Sequence, residues 1–335
     1  MAVANRQFRL ASRPEGMPGR DIWDLTEEDV PEPADGELLV KVLLLSLDPA
    51  MRAWLDDVPS YIPPVAVGDV MRALGVGVVV ESKHPDVEEG AYVTGLFGIQ
   101  EYAVLPGNAV TEIDAAMAPL ATWLNVLGMP GMTAYFGLLG IGRPQPGETV
   151  LVSGAAGAVG ATVGQIAKVK GCRAVGIAGG AEKCRMLVEE FGFDAAIDYK
   201  SDDLRAALKE KCPDRVDVYF DNVGGEVLDA ALGRLSRGAR VVICGAVSQY
   251  NAGAMKGPSN YMALLVRRAR MEGFVVFDYA SRYGEAAREL GAWMAAGKLK
   301  SVEDVVDGIE TFPDTLLKLF RGENKGKLCL RVAEA

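Results

Sequence analysis

The chain reads as an α/β protein in which a doubly wound parallel sheet is joined to a compact β-barrel domain. Three observations predict this. First, the apolar run Val150-Leu151-Val152-Ser153 leads straight into Gly154, Gly157 and Gly160, and a helical pattern carrying Val159, Val163, Ile166 and Ala167 on one face follows at once. Second, strand and helix patterns alternate from about residue 148 to residue 278. Third, the N-terminal region holds β-like runs separated by turns rather than helices, and a β-like run returns near the C-terminus. Alternation implies parallel strands with helical crossovers, whereas strands without intervening helices imply a barrel or sandwich.

The elements follow in order. Residues 38–45, 76–81 and 101–105 are β-like, with turn-rich segments such as Pro31-Glu32-Pro33-Ala34-Asp35-Gly36 between them. After the glycine turn, the helix is expected to stop at Gly171, and residues 173–178 form a second strand. A helix over 181–191 ends at Gly192, and residues 195–199 form a third strand. Ser201 is a good N-cap for the polar helix that ends before Pro213. Residues 216–220 form a fourth strand, residues 226–235 a helix, 241–244 a fifth strand and 274–277 a sixth. Continuous apolar strands such as Val241-Val242-Ile243-Cys244 fit burial on both faces of a parallel sheet. The β-like tail over 328–332 is expected to rejoin the first domain. This divides the chain into a barrel domain of residues 1–122 and 300–335 and a nucleotide-binding domain of residues 123–299.

Bulk properties narrow the partners. A net charge of −10 argues against nucleic acid and against anionic membrane surfaces. No apolar run reaches the length of a membrane span. The opening residues Met1-Ala2-Val3-Ala4-Asn5-Arg6-Gln7 carry no apolar signal core. The five cysteines are scattered without a C-x-x-C pair and read as buried free thiols, which places the protein in the reducing cytoplasm.

The glycine turn is a phosphate cradle. Glycine permits the tight turn, the close approach of pyrophosphate to backbone, and close helix–strand packing. The following helix start offers unpaired N–H groups and a partial positive charge. Gly157, Ala158, Val159 and Gly160 are therefore the pyrophosphate-binding candidates. The second strand then selects between cofactors. NAD-preferring folds place an acid at its tip to accept the ribose 2′-OH. Here the strand ends Gly176-Ile177-Ala178-Gly179-Gly180, leaving room for a 2′-phosphate. Lys183, in the first turn of the next helix, is placed to reach that phosphate, with Arg185 nearby. Alone, Lys183 would be an ordinary surface lysine; together with the missing acid it points to NADP. Glu182 lies past the strand tip and should face solvent.

The chain lacks most alcohol-oxidising chemistry. Its one histidine, His84, sits before Pro85 and Asp86 in a polar turn and reads as an exposed loop residue. No cysteine precedes Cys172, so the barrel offers no thiolate and zinc is not expected. None of the ten tyrosines begins a Tyr-x-x-x-Lys pair. Reduction of an activated C=C bond needs less machinery. A hydride reaches the β-carbon, one hydroxyl donor holds the developing enolate oxygen, and a proton reaches the α-carbon. A tyrosine, protonated at neutral pH, suits that role. Tyr250 is the main candidate because it follows the fifth strand at the carboxyl edge, where ligands bind in this fold. The alternative role for Tyr250 is packing against the cofactor. Tyr261, ahead of an apolar helical run, is the weaker candidate.

Four segments carry a resemblance. They are Gly128-Met129-Pro130-Gly131-Met132-Thr133-Ala134-Tyr135, Gly157-Ala158-Val159-Gly160, Phe220-Asp221-Asn222-Val223-Gly224-Gly225 and Cys244-Gly245-Ala246-Val247-Ser248-Gln249-Tyr250-Asn251. Together they resemble the zinc-independent medium-chain dehydrogenase/reductases, within them the group of prostaglandin reductase, leukotriene hydroxydehydrogenase, alkenal double-bond reductase and curcumin reductase-like proteins. The resemblance runs from Leu47-Asp48-Pro49 to Gly322-Glu323-Asn324-Lys325-Gly326-Lys327. It implies a GroES-like barrel, a Rossmann domain, and NADPH as hydride donor to α,β-unsaturated ketones or aldehydes. By the same pattern, Lys183 and Tyr199 hold the 2′-phosphate, and Asn222, Cys244, Gly245, Ala246, Val247, Ser248 and Tyr250 line the cofactor. Phe274, Val275 and Val276 approach the nicotinamide end, and Asn324 reaches the cofactor from the returning tail. The resemblance also implies a homodimer formed through the nucleotide domains.

Two departures from the pattern bear on substrate. The family reads Asp-Pro-Tyr-Met-Arg where this chain has Asp48-Pro49-Ala50-Met51-Arg52, so Ala50 is expected to reshape the pocket. It reads Gly-Trp-Gln-Glu-Tyr where this chain has Gly98-Ile99-Gln100-Glu101-Tyr102. Arg52 is expected to pair with a nearby Asp rather than with substrate. Two competing functions remain open at this point: a zinc-free NADPH quinone oxidoreductase, and a non-catalytic NADPH-binding protein.

Overall fold

The computed structural model describes residues 4–58, 60–252 and 256–334. Met1, Ala2 and Val3, part of the opening segment read above for a signal core, lie outside the described residues. The chain divides into two compact units, one of residues 1–124 with 303–335, the other of residues 125–302.

The first unit opens with β1 (Ala4–Leu10) and β2 (Trp23–Asp29), an antiparallel pair. Then come β3 (Glu37–Ser46), β4 (Gly75–Ser82), β5 (Tyr92–Gly95), β6 (Tyr102–Pro106) and β7 (Thr111–Glu112). The long strand β3 is central. Its N-terminal part pairs with β6 on one edge while β4 runs antiparallel along the other. Its core positions are almost continuously apolar and buried, including Leu38, Val40, Val42 and Leu45. A 3₁₀ segment, Pro49–Leu55, follows β3, with proline at its first turn, where a missing N–H costs nothing.

The second unit starts with the short helix α1 (Met129–Tyr135), which runs on as a π-helical stretch, Phe136–Gly142. Next are β8 (Thr149–Ser153), α2 (Ala158–Val169), β9 (Arg173–Ala178), α3 (Ala181–Glu189), β10 (Ala195–Asp198) and α4 (Leu204–Lys211). The unit continues with β11 (Val216–Asp221), α5 (Gly225–Leu232), β12 (Leu235–Ile243), α6 (Met262–Arg267), β13 (Arg270–Gly273) and α7 (Tyr283–Ala295). The six strands form one parallel sheet in the order β10-β9-β8-β11-β12-β13. Numbered within the sheet this is 3-2-1-4-5-6, the doubly wound order, with its reversal between β8 and β11. All five residues of β8 are buried, as expected of a strand covered on both faces.

The tail adds β14 (Glu303–Asp307), α8 (Phe312–Arg321) and β15 (Lys327–Arg331) to the first unit. β15 pairs antiparallel with the C-terminal end of β3, completing a seven-stranded sheet.

Three sequence expectations change. The sixth strand lies at Arg270–Gly273, not at 274–277. An edge strand needs one partner only, so its polar Arg270-Met271-Glu272-Gly273 carries little of the apolar signal that marks central strands. The more apolar run after it turns instead into a 3₁₀ segment, Val276–Arg282, and Phe274 packs its ring edge-on against Phe220 with centroids 6.4 Å apart. Helix α4 is capped by Asp203, not Ser201: the Asp203 carboxylate accepts from the Ala206 N–H at 2.8 Å. Helix α5 starts at Gly225 and ends at Leu232, three residues earlier than expected, because residue 235 opens β12.

Candidate functional site

The three glycines of the first turn do three different jobs. Gly154 adopts φ +59°, which favours glycine. Gly157 is extended, at φ −85° and ψ 172°, and starts α2 without any side-chain cap. A Cβ on Gly160 would lie 2.4 Å from the Gly154 carbonyl oxygen and 2.8 Å from Ala155 Cα, so only glycine lets α2 sit this close to the strand end. The uncapped start leaves the first-turn N–H groups of Ala158, Val159 and Gly160 facing the end of the helix. This cradle fits a pyrophosphate: donors without a side-chain competitor, on a helix dipole, beside backbone stripped of Cβ atoms.

The neighbouring loops are laced to one another around a buried carboxylate. Asp221 closes β11 at the reversal point and is 1% exposed. Its Oδ1 accepts from Ser153 Oγ (2.9 Å), the Tyr219 hydroxyl (2.7 Å) and the N–H groups of Val223 and Gly224 (3.0 Å each). Its carbonyl accepts from the N–H groups of Cys244 (2.9 Å) and Gly245 (3.1 Å). Ser153 Oγ in turn accepts from Asn222 N–H at 2.9 Å, and the Asn222 amide donates to the Ser153 carbonyl at 2.7 Å. Burial, reinforced by the charge of Asp221, pushes the Tyr219 hydroxyl far above its ordinary range, so it stays a donor. Asp221 thereby fixes the carboxyl ends of β8 and β11 through its carboxylate and that of β12 through its backbone carbonyl. Leaving a buried donor unpaired costs about 1–3 kcal/mol, so the network is expensive to break.

Residues 244–250 hang from this hub. Val247 N–H donates to Asn222 O at 3.1 Å, and Ser248 donates to Val223 O through both N–H (3.2 Å) and Oγ (2.6 Å). The Tyr250 hydroxyl accepts from Ala246 N–H at 3.2 Å and lies 3.0 Å from where a Cβ on Gly245 would be. The loop thus curls so that Tyr250 reaches back to its own start, and the glycine makes space for the hydroxyl. Tyr261, by contrast, is 60% exposed.

A second cluster sits at the tips of β9 and β10. Lys183 is half-buried in the first turn of α3, Glu182 is exposed beside it, and Tyr199 follows β10 directly. The Tyr199 ring lies against Gly179: a Cβ there would meet Tyr199 Cε1 and Oη at 2.9 Å. A carboxylate between the two strand tips, Asp198, accepts from Gly180 N–H (2.7 Å) and Lys200 N–H (3.0 Å). These bonds hold it below the usual carboxylate range.

Among the sequence-selected residues, Gly157, Ala158, Val159, Gly160, Asn222, Cys244, Gly245, Ala246, Val247, Ser248 and Tyr250 gather at the carboxyl edge of the parallel sheet. Lys183 and Tyr199 lie at the neighbouring strand tips. Phe274 is tucked against Phe220 and Gly137, while the Val276 carbonyl accepts from the Tyr283 hydroxyl at 3.0 Å. Asn324 belongs to the first unit, where it is buried and donates to the Gly326 carbonyl at 2.9 Å. Ala50 packs against the core of that unit, and Arg52 pairs with Asp56 at 2.7 Å, the partner type expected for it.

Sequence reasoning passed over Asp221, Ser153 and Asp198. The available signal was a polar residue ending an apolar strand, as in Val218-Tyr219-Phe220-Asp221. Two further readings are corrected. His84 is half-buried rather than exposed, with Nδ1 accepting from Asp86 N–H at 3.2 Å. Cys172, Cys212 and Cys329 are buried, but Cys184 and Cys244 belong to partly exposed residues. Desolvation nevertheless raises both thiols, to about 11 and about 12.

Comparison with known proteins covers the whole chain. Residues 6–113 match the family model for the N-terminal domain of oxidoreductase, and residues 158–295 match the model described as zinc-binding dehydrogenase. Despite that description, no group of three or more His, Cys, Asp or Glu that could hold a metal ion occurs among the described residues. The chain is 46% identical over 337 residues to the NADPH-dependent curcumin reductase of Escherichia coli, covering 98% of this chain and 97% of that protein. It is 41% identical over 338 residues to the NADP-dependent 2-alkenal reductase of Nicotiana tabacum, covering 99% and 98%. The crystal structure of CurA from Vibrio vulnificus in complex with NADPH superimposes with a TM-score of 0.94 at 43% identity, over 98% of this chain and 100% of that one. With such likeness along its full length, the chain belongs to the zinc-independent medium-chain dehydrogenase/reductase family, in the group of the prostaglandin, alkenal and curcumin reductases.

Proposed function

We propose that this protein reduces the C=C bond of α,β-unsaturated ketones or aldehydes with NADPH. The observation that carries the reading is the full-length kinship with the NADPH-dependent curcumin reductase, at 46% identity. Three features of the chain support it: the uncapped start of α2, the absence of an acid at the tip of β9, and the tyrosine-bearing loop beyond β12.

In this reading, Gly157, Ala158, Val159 and Gly160 hold the pyrophosphate, and Lys183 and Tyr199 hold the 2′-phosphate. Asn222 and residues 244–250 position the remainder of the cofactor, with Phe274, Val275 and Val276 completing its surroundings. When bound, NADPH supplies the hydride that reduces the β-carbon. The Tyr250 hydroxyl donates to the carbonyl oxygen as enolate charge gathers there, while its own oxygen is oriented by the Ala246 N–H. The Asp221 hub keeps the loop from swinging and so positions the hydroxyl. We assign residues 1–122 and 300–335 to the substrate-binding, catalytic domain and 123–299 to the NADP-binding domain.

The protein is further proposed to act in the cytoplasm as a homodimer. No helix among the described residues is long and apolar enough to cross a membrane. β13 is the edge of the parallel sheet, and beside it α6 exposes Met262, Leu265 (69%) and Val266 (60%). A second copy adding its own β13 across a two-fold axis would cover that face.

The decisive experiment mixes the purified protein with NADPH and a panel of enones, enals and quinones, follows consumption of the reduced cofactor, and analyses products. Saturation of an enone or enal C=C bond is expected. Faster consumption with quinones and no saturated product would assign quinone reduction instead. Tight NADPH binding without consumption of any acceptor would make the protein a binder.

A further inference from the structure

We propose that Lys200 is a specificity residue for the cofactor, a second cation for the 2′-phosphate alongside Lys183, with Asp198 as the positioning residue that sets it there; the proposal rests on the NADPH reading above. Gly179, at the tip of β9, has no side chain, and two side chains from the turn after β10 occupy its space. A Cβ at Gly179 would meet Tyr199 Cε1, Tyr199 Oη and Lys200 Cε, each at 2.9 Å. Tyr199 and Lys200 thus converge on the strand tip where this fold discriminates a ribose 2′-OH from a 2′-phosphate.

The backbone that carries Lys200 is pinned. Asp198 Oδ1 accepts from Gly180 N–H at 2.7 Å and from Lys200 N–H at 3.0 Å, so one oxygen joins the turn after β9 to the turn after β10. The Asp198 N–H donates to Asp202 Oδ2 at 3.0 Å, closing the turn from its other side. The carboxylate is engaged with amides from both turns, which is a different task from accepting a ribose hydroxyl. It also keeps negative charge close to a lysine that forms no side-chain ion pair among the described residues.

The ligand's charge supplies the reason for two lysines. A phosphate monoester carries about −1.5 to −2 near neutral pH, more than one ammonium neutralises. Lysine is a compact point charge on a flexible stem, suited to approaching phosphate from the solvent side. Lys183 comes from the first turn of α3 and Lys200 from beyond β10, so the two reach the strand tip from different elements.

The test is calorimetric titration of the intact protein with NADPH, NADH, 2′,5′-ADP and AMP, for the wild type, Lys200→Met, Lys200→Arg and Lys183→Met. Lys200→Met is expected to weaken NADPH and 2′,5′-ADP by about 5- to 20-fold, a charge-assisted contact at a partly solvated site, and to leave NADH and AMP within about twofold. Lys200→Arg should retain most of the affinity, and the salt dependence of NADPH binding should flatten only in the Met variant. If Lys200→Met binds NADPH like the wild type while Lys183→Met loses it, Lys200 has no such role and the NADPH reading stands. Equal weakening of NADPH and NADH by Lys200→Met would show a structural effect and overturn the proposal. If the wild type binds NADH as tightly as NADPH, the cofactor reading itself fails and this proposal with it.

Discussion

Replacing Gly160 by alanine tests how the phosphate cradle is built. The added Cβ would stand 2.4 Å from the Gly154 carbonyl oxygen, about 1 Å inside ordinary contact, and 2.8 Å from Ala155 Cα. Both neighbours are backbone, so no rotamer change relieves the clash, and α2 must move away from the end of β8. Overpacking of this kind costs about 1–3 kcal/mol, against which alanine regains about 1 kcal/mol of helix propensity. Stability should therefore fall by roughly 0–2 kcal/mol, read as a small drop in the urea midpoint. Binding should fall further, because the N–H groups at the helix start move with it. Losing one or two charge-assisted bonds to the pyrophosphate, at about 1.5 kcal/mol each, weakens affinity about 10- to 100-fold. NADPH and NADH share the pyrophosphate and should suffer alike, which separates this variant from changes at Lys183 or Lys200. Gly157→Ala serves as contrast: its backbone is extended and its Cβ would lie 3.3 Å from the same oxygen, so stability should barely change while phosphate approach is blocked. A Gly160→Ala protein that binds NADPH within twofold of the wild type would refute the reasoning.

Three other outcomes are expected. Tyr250→Phe should lower turnover on an enone by about 10- to 100-fold, with the dissociation constant for NADPH little changed; an unaltered rate would remove Tyr250 from the chemistry. The thiols should resist alkylation. With Cys172, Cys184 and Cys212 pushed to about 11 by burial, thiolate at pH 8 is on the order of 0.1%, and rapid loss of free thiol to iodoacetamide in the native protein at that pH would contradict this. Glu148 governs part of the acid response. Burial pushes its carboxyl up, but hydrogen bonding to Arg240 and to Gln145 N–H outweighs this and the folded value is lowered. A lowered folded value means stability that is present above the unfolded value of ~4.3 and is lost as pH falls through the folded one. Glu148→Gln should therefore be less stable than the wild type at pH 7 by roughly 1–2 kcal/mol, with the difference shrinking toward pH 3 in urea melts.

The nucleotide-binding half of the fold was legible because its signals are local. An apolar strand running into glycines and then a helical stripe specifies strand, turn and helix within eleven residues, and the same alternation recurs to β12. β13 escaped because an edge strand lacks the apolar signature of a buried one. Helix α4 begins later than the Ser201 reading because Asp203, two residues on, competes for the cap with a carboxylate. The lone acid at the end of β11 was visible as a letter but its role was not. Four donors converge on Asp221 from positions 153, 219, 223 and 224, and no spacing rule connects 153 with 221. Tyr250 was nominated as the proton-donor candidate from its place after a strand, whereas its bond to Ala246 appears only in three dimensions. Lys200 was missed for a similar reason, since its neighbour Gly179 lies 21 positions away on an adjacent strand.

The crowding at Gly179 sets a rule for anyone redesigning this protein to run on the cheaper, unphosphorylated nicotinamide. The usual recipe installs an aspartate or glutamate at the end of the second strand to grip the ribose diol. Here that position is walled in from the facing turn at 2.9 Å by an aromatic ring and an aliphatic stem. Both neighbours are the outer ends of exposed side chains that can swing aside, so a new carboxylate at Gly179 would enter by displacing Tyr199 and Lys200, and a working swap is best made at all three positions together.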